Sequence, residues 1–324
     1  MAKAIRVHKP GGPEAMVYED YDPGQPGKGQ VLVRHTAIGV NYIDTYFRSG
    51  LYKTPTSPFV LGNEAAGIVE ALGEGVKNVR VGDRVAYTTG LGAYSEERVI
   101  DAGVLLKLPD SISDETAAAM ILKGLTAQYL LRRTFAVKRG DTIVFHAAAG
   151  GVGLIACQWA KHLGCTVIGT VGSPGKVDLA KENGCDHVIV TGKEDVAKRV
   201  RELTGGQGVP VVYDGVGKAT FMGSLDCLQP FGVFVSFGSA SGPIDAFDIG
   251  LLSQKGSLYA TRPTLYTHIA RPESLAEMAA DLFDVVGSGA VKIHVNQRAS
   301  LSEAADVHRA LESRGTTGAT VMIP

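Results

Sequence analysis

The sequence predicts an α/β protein in which a doubly wound parallel sheet is inserted into a second, partly antiparallel β domain built from both chain ends. Three observations carry this. At 324 residues the chain exceeds one ordinary core, so two domains are expected. From residue 142 onward, short β-branched runs alternate with helical periods, the pattern of parallel strands joined by crossovers. Before residue 110, strand-like stretches are separated by Gly/Pro turns such as Pro23-Gly24-Gln25-Pro26-Gly27, the texture of antiparallel pairing.

Taken in order, the amino-terminal strands are expected at 30–37, 67–72 and 83–87, where apolar and polar residues alternate. The central domain, 125–264, offers six runs: 142–145, 166–171, 187–190, 210–213, 233–237 and 257–260. Between the first two lies a helix whose Val152, Ile155, Ala156, Trp159, Ala160 and Leu163 fall on one face, ended by Gly164. The flanks, 1–124 and 265–324, form the other domain. Its later part holds a helix with Leu275, Met278, Ala279 and Leu282 on one side, then Ser300-Leu-Ser-Glu303, which has the spacing of a capping box. A strand at 319–323 closes the chain.

Basic and acidic residues balance, 32 against 33, and no basic run occurs, so nothing favours nucleic acid or an anionic membrane as partner. No apolar run approaches a bilayer span, and no membrane insertion is expected. The four cysteines, Cys157, Cys165, Cys185 and Cys227, lack paired metal spacing and read as cytoplasmic thiols.

The first strand of the central domain runs into His146-Ala-Ala-Ala149-Gly150-Gly151-Val152-Gly153 and then the helix. Small residues there let the backbone approach a pyrophosphate, and the unpaired N–H groups of the helix start face its charge. Against a G-x-G-x-x-G pattern the first glycine is Ala148, while Gly150 and Gly153 stand. The context, strand before and helix after, is the one dinucleotide binding requires. An NAD site places Asp or Glu at the end of the second strand to grip the ribose 2′-hydroxyl. This strand ends Gly172-Ser173-Pro-Gly-Lys176, with a hydroxyl and an ammonium and no acid. A 2′-phosphate is attracted by that set, so NADP(H) is the expected cofactor. One charge-assisted contact is worth roughly 1.5–3 kcal/mol.

Several segments together carry a resemblance: Gly39-Val-Asn41-Tyr-Ile-Asp44, Leu61-Gly-Asn-Glu-Ala-Ala-Gly67, Val81-Gly-Asp-Arg-Val85, Leu122-Lys-Gly-Leu-Thr126, the loop 147–153 and Val235-Ser-Phe-Gly238. With Gly50-Leu-Tyr52 and Glu312-Ser-Arg314, the chain resembles, over its whole length, the zinc-free quinone oxidoreductase (zeta-crystallin-like) branch of the medium-chain dehydrogenase/reductase superfamily. It is especially similar to the bacterial NADPH:quinone reductases. The resemblance implies a GroES-like catalytic domain with an inserted Rossmann domain.

In the zinc alcohol dehydrogenases of that superfamily one metal ligand is the Cys of a C-x-[ST]-D pattern, and Asn41 stands there. The His of G-H-E is Asn63 here, and the Cys of C-x-G-x-T is Leu122. Zinc takes thiolate, imidazole or carboxylate, which two amides and an alkyl group do not supply. The four-cysteine structural lobe is missing too. No metal is expected. Without a Lewis acid, alcohol oxidation loses its usual activation, and what remains is hydride delivery from NADPH to an acceptor that is already electrophilic, a quinone or an activated enone.

By the same resemblance, Asn41, Tyr46 and Tyr52 lie around the nicotinamide and the acceptor, and Lys123 and Thr126 lie near the cofactor. Ala149, Gly150, Gly151, Val152 and Gly153 hold the pyrophosphate. Gly172, Ser173, Lys176 and Arg314 meet the 2′-phosphate end, Phe237, Gly238 and Ser239 pass beside the nicotinamide ribose, and Arg262, after the sixth strand, is a further cofactor position. Close relatives often carry tyrosine where this chain has Thr191, so the adenine pocket departs from the pattern. A homodimer paired through the strand at 257–260 is implied as well. An NADPH-dependent enone or 2-alkenal double-bond reductase is the first alternative. A second, from another class, is an NADPH-binding structural or RNA-binding protein, since family members have been recruited to both roles.

Overall fold

Strands buried on both faces need apolar residues nearly throughout, and six such runs assemble into one parallel sheet: Thr142–Phe145, Thr166–Val171, His187–Val190, Val209–Asp214, Leu228–Ser236 and Tyr259–Thr261. This computed structural model describes residues 1–54, 56–313 and 315–324. Counted along the chain, the strands lie in the order 3-2-1-4-5-6. The order reverses between the first and fourth strands, and ligands bind in such sheets beyond the carboxyl ends of the strands at that reversal. Val144, Ile168, Val212 and Phe234 fill the core on one side. Three of the six strands have the expected ends. The last starts at Tyr259 and not at residue 257, because Ser257 has a φ of 55°, outside extended geometry.

By chain contacts this sheet belongs to a unit of Gly124–Ile269 with Asp284–Lys292. The Gln158 side chain explains why the second piece joins it: Nε2 donates to Lys292 O at 3.0 Å and Oε1 accepts the Lys292 N–H at 2.9 Å.

The other unit comprises Met1–Lys123, Ala270–Phe283 and Ile293–Pro324. Its seven-stranded sheet pairs Gln30–Gly39, Glu64–Leu72, Arg84–Thr88 and Leu106–Lys107 antiparallel, with Glu97–Asp101 also on the first of these. At the far side Val295–Ser300 and Ala319–Ile323 run parallel to each other. Val31, Val33, Ile38, Leu61, Tyr87 and Met322 pack beneath it. The Ser300/Glu303 capping box forms, with Glu303 Oε2 accepting the Ser300 N–H at 2.7 Å. Leu275, Met278, Ala279 and Leu282 are all buried on their helix, Pro272–Gly287.

Candidate active site

Two elements bring the acceptor-side residues together. Strand Gln30–Gly39 ends beside helix Asp114–Tyr129, and only glycine fits at position 39, because a Cβ there would overlap the Ala118 carbonyl and lie 2.7 Å from Glu64 Cδ. Two residues on, Asn41 caps helix Tyr42–Ser49, whose Asp44 closes the capping box by accepting the Asn41 N–H at 2.8 Å.

Glu64 is fully buried and three donors converge on it. Asn41 Nδ2 reaches Oε2 at 2.6 Å, Lys123 Nζ reaches the same oxygen at 3.1 Å, and the Leu122 N–H reaches Oε1 at 2.7 Å. Asp44, also fully buried, takes the Asn63 amide on Oδ1 at 2.6 Å and the Tyr94 hydroxyl on Oδ2 at 2.9 Å. Burial, more than any other cause, lifts the Asp44 carboxyl to about 6, and its hydrogen-bond donors pull the other way.

From Tyr94 the chain of bonds continues. The phenol gives its proton to Asp44, so its oxygen accepts from His308 Nε2 at 3.1 Å, while His308 Nδ1 accepts from Arg48 Nη1 at 3.1 Å. That assigns the neutral tautomer. Burial, with the Arg48 charge second, depresses the His308 pKa to about 3. Arg48 ends the chain in a two-bond fork on Glu312, at 3.0 and 2.8 Å.

Tyr46 and Tyr52 form a wall of rings. Their centroids are 5.2 Å apart, Phe47 meets Tyr52 edge-on at 5.6 Å, and Tyr42 meets Tyr46 at 5.7 Å. Tyr46 is buried and Tyr52 half-buried.

A metal does not fit here. The three positions at which zinc relatives place ligands hold Asn41, Asn63 and Leu122, and both amide nitrogens are already donors to carboxylates. Among the described residues no group of three or more His, Cys, Asp or Glu side chains is arranged to hold a metal ion.

The glycine loop sits past the first strand, at the reversal point of the parallel sheet. Helix Gly151–His162 opens with Gly150 as cap, and the Leu154 N–H is the first to bond back, to Gly150 O at 2.9 Å. The N–H groups of Gly151, Val152 and Gly153 therefore precede the helix's own ladder, where an anion is stabilised. Ala147 turns the chain with a φ of 55°, Ala149 is buried, and a Cβ on Gly153 would lie 2.7 Å from the Ala148 backbone. The loop thus has the low profile that a pyrophosphate requires, and NADPH fits it. Gly172 is exposed just past the second strand, Ser173 caps a short turn, and Lys176 is half-buried within that turn. Phe237, Gly238 and Ser239 are half-buried beyond the fifth strand. Arg262 donates to Ser236 O at 2.9 Å, and Thr126 is buried. Arg314 lies outside the described residues.

His146 reads as structural. Ser224 donates to Asp214 at 2.7 Å, so His146 Nε2–H donates to Ser224 at 3.0 Å and its Nδ1 accepts from Thr170 at 2.9 Å. Burial lowers its pKa and keeps it neutral.

Residues 27–110 match the family model for an alcohol dehydrogenase GroES-like domain, and residues 151–284 match that for a zinc-binding dehydrogenase. A quinone oxidoreductase of Pseudomonas aeruginosa is 56% identical, with all of both chains covered. The chain belongs to the quinone oxidoreductase family. The fold of this quinone oxidoreductase family member superposes on the Escherichia coli quinone oxidoreductase solved in complex with NADPH, with a TM-score of 0.98, 49% identity and all of both chains covered. A 2-haloacrylate reductase from a Burkholderia species is 45% identical over 100% of this chain and 99% of its own. The zinc-binding name of one matched model describes the wider superfamily, whose metal ligands this quinone oxidoreductase family member replaces with amides and an alkyl group.

Sequence reading singled out Asn41, Tyr46, Tyr52 and Lys123, and two of these, Asn41 and Lys123, meet on Glu64. It missed the path through Arg48, Tyr94 and His308. Only the quoted Glu312-Ser-Arg314 segment pointed toward its far end.

Proposed function

We propose that the protein is a zinc-independent NADPH:quinone oxidoreductase. The observation that carries this is full-length similarity to quinone oxidoreductases, one of them solved with NADPH, combined with a glycine loop shaped for a pyrophosphate. The region 125–264 serves as the cofactor domain, and 1–124 with 265–324 as the catalytic domain.

Bound NADPH supplies a hydride, and with it two electrons, to the acceptor. The N–H groups of Gly151, Val152 and Gly153 hold the pyrophosphate. Ser173 and Lys176 favour the 2′-phosphate over a bare hydroxyl. Asn41 has one amide N–H on Glu64, and the other is available in this reading to the acceptor oxygen, where negative charge grows. The Tyr46 and Tyr52 rings provide a flat apolar wall for a quinone. Purified protein with NADPH and a benzoquinone or naphthoquinone is expected to consume both, and failure with every quinone sinks the reading.

The similarity to a 2-haloacrylate reductase favours a second reading, reduction of an activated carbon–carbon double bond. It takes over if 2-alkenals are turned over and quinones are not.

No helix among the described residues is long and apolar enough to cross a membrane, and the four cysteines are free thiols. We place the protein in the cytoplasm. We also propose a homodimer through the edge strand Tyr259–Thr261, which is exposed at every residue with Tyr259 61% accessible. A sedimentation mass near the 34.0 kDa of one chain would rule the dimer out.

A further inference from the structure

Lys123 is only 5% exposed. Lysine is almost never buried without a partner, and a buried ion pair adds little stability over apolar residues of the same volume. Lys123 does have a partner, Glu64, yet that carboxylate is already held by Asn41 and Leu122. Stability alone therefore gives a weak reason for an ammonium here.

Its position gives a better one. Lys123 Nζ and Asn41 Nδ2 bond the same oxygen, Glu64 Oε2, so the two nitrogens are no further apart than those bonds laid end to end, 5.7 Å. The function proposed above assigns the Asn41 amide to the acceptor oxygen, and this inference rests on that reading. The charged groups facing Lys123 are Glu64, in contact, and Asp44, whose carboxyl feels the ammonium as a minor stabilising charge.

We propose that Lys123 is the proton donor of the reaction. A quinone that has taken a hydride is a hydroquinone monoanion, one proton short of its neutral product. An N–H bond of the Lys123 ammonium breaks, an O–H bond forms on the acceptor, and the electron pair stays on Nζ. The neutral amine is then reprotonated from water. An enolate left by enone reduction requires one proton in the same way.

Two variants separate proton transfer from charge. Lys123→Arg keeps a cation that does not give up its proton, and Lys123→Met removes both. Both are expected to lower kcat at least about 100-fold, while the NADPH dissociation constant, read by fluorescence titration, moves less than about threefold. Ethylammonium added to Lys123→Met is expected to restore kcat at least about tenfold. The proposal is overturned if Lys123→Arg keeps kcat within about threefold of wild type, or if no small primary amine rescues Lys123→Met. Should Lys123→Met fail to fold with Glu64 unpaired, the Glu64→Gln/Lys123→Met double variant carries the same two outcomes. Failure of the wild-type protein with every quinone speaks against the function itself; Lys123 is judged on whichever acceptor the wild type reduces.

Discussion

Tyr94 donates its phenolic proton to Asp44 Oδ2 at 2.9 Å across 50 positions of sequence, and both side chains are fully buried. Replacing the phenol by phenylalanine leaves the shape and removes two bonds, one to Asp44 and one from His308. Each buried group left without its partner costs about 1–3 kcal/mol. Tyr94→Phe is expected to lower unfolding free energy by about 2–4 kcal/mol in urea titration, and an unchanged midpoint would show that the two bonds contribute nothing.

Acid should destabilise the protein earlier than its carboxylates alone require. Burial holds the His35 pKa at about 4 and the His308 pKa at about 3 in the folded state, below the ordinary value of 6.5. The unfolded chain then binds protons first, so stability falls as pH drops below 6.5. At pH 4.5 each histidine costs about 2–3 kcal/mol by linkage. Asp44 works in the opposite direction. Its folded pKa of about 6 lies above the ordinary 3.8, so its ionisation weakens the fold above pH 6, and protonation between pH 6 and 4 gives back about 2 kcal/mol. The histidines win. In His308→Gln the loss between pH 7.5 and 4.5, measured by urea midpoints, should shrink by about 2–3 kcal/mol; an unaltered slope would remove His308 from the account.

Gly153→Ala tests the loop. The added methyl meets the Ala147 carbonyl and the Ala148 backbone, and overpacking of this kind costs about 1–3 kcal/mol. NADPH affinity should fall at least about tenfold as the loop shifts away from the phosphates, read by fluorescence titration. Wild-type affinity in this variant would mean that the pyrophosphate lies elsewhere.

Lys176→Glu tests the choice of nicotinamide. Loss of a cation near the 2′-phosphate should reduce the preference for NADPH over NADH by about 10- to 150-fold. Equal effects on both cofactors in parallel titrations would show that Lys176 does not read the 2′-phosphate.

Much of the parallel sheet was legible because each of its strands needs apolar residues on both faces, which leaves a dense signal in Thr142–Phe145 or Thr166–Val171. Several strands run further than their signal, two of them furthest. Leu228–Ser236 passes through Pro230, Phe231 at a φ of 63° and Gly232, residues that read as a turn. Glu64–Leu72 begins with a carboxylate and small residues that favour no strand, and is held by pairing on both sides, to Gly39 and to Thr88. Asn41 and Lys123 were legible from local motifs. The line from Arg48 through His308 to Tyr94 was not, because its members stand 260 and 214 positions apart and no spacing rule joins them.

The convergence on Glu64 also constrains engineering. To install a cation by writing cysteine at 41 and histidine at 63 would first take the amide donors from two carboxylates sealed away from water. A designer who wants alcohol chemistry from this scaffold must therefore rebuild the acids before the ligands.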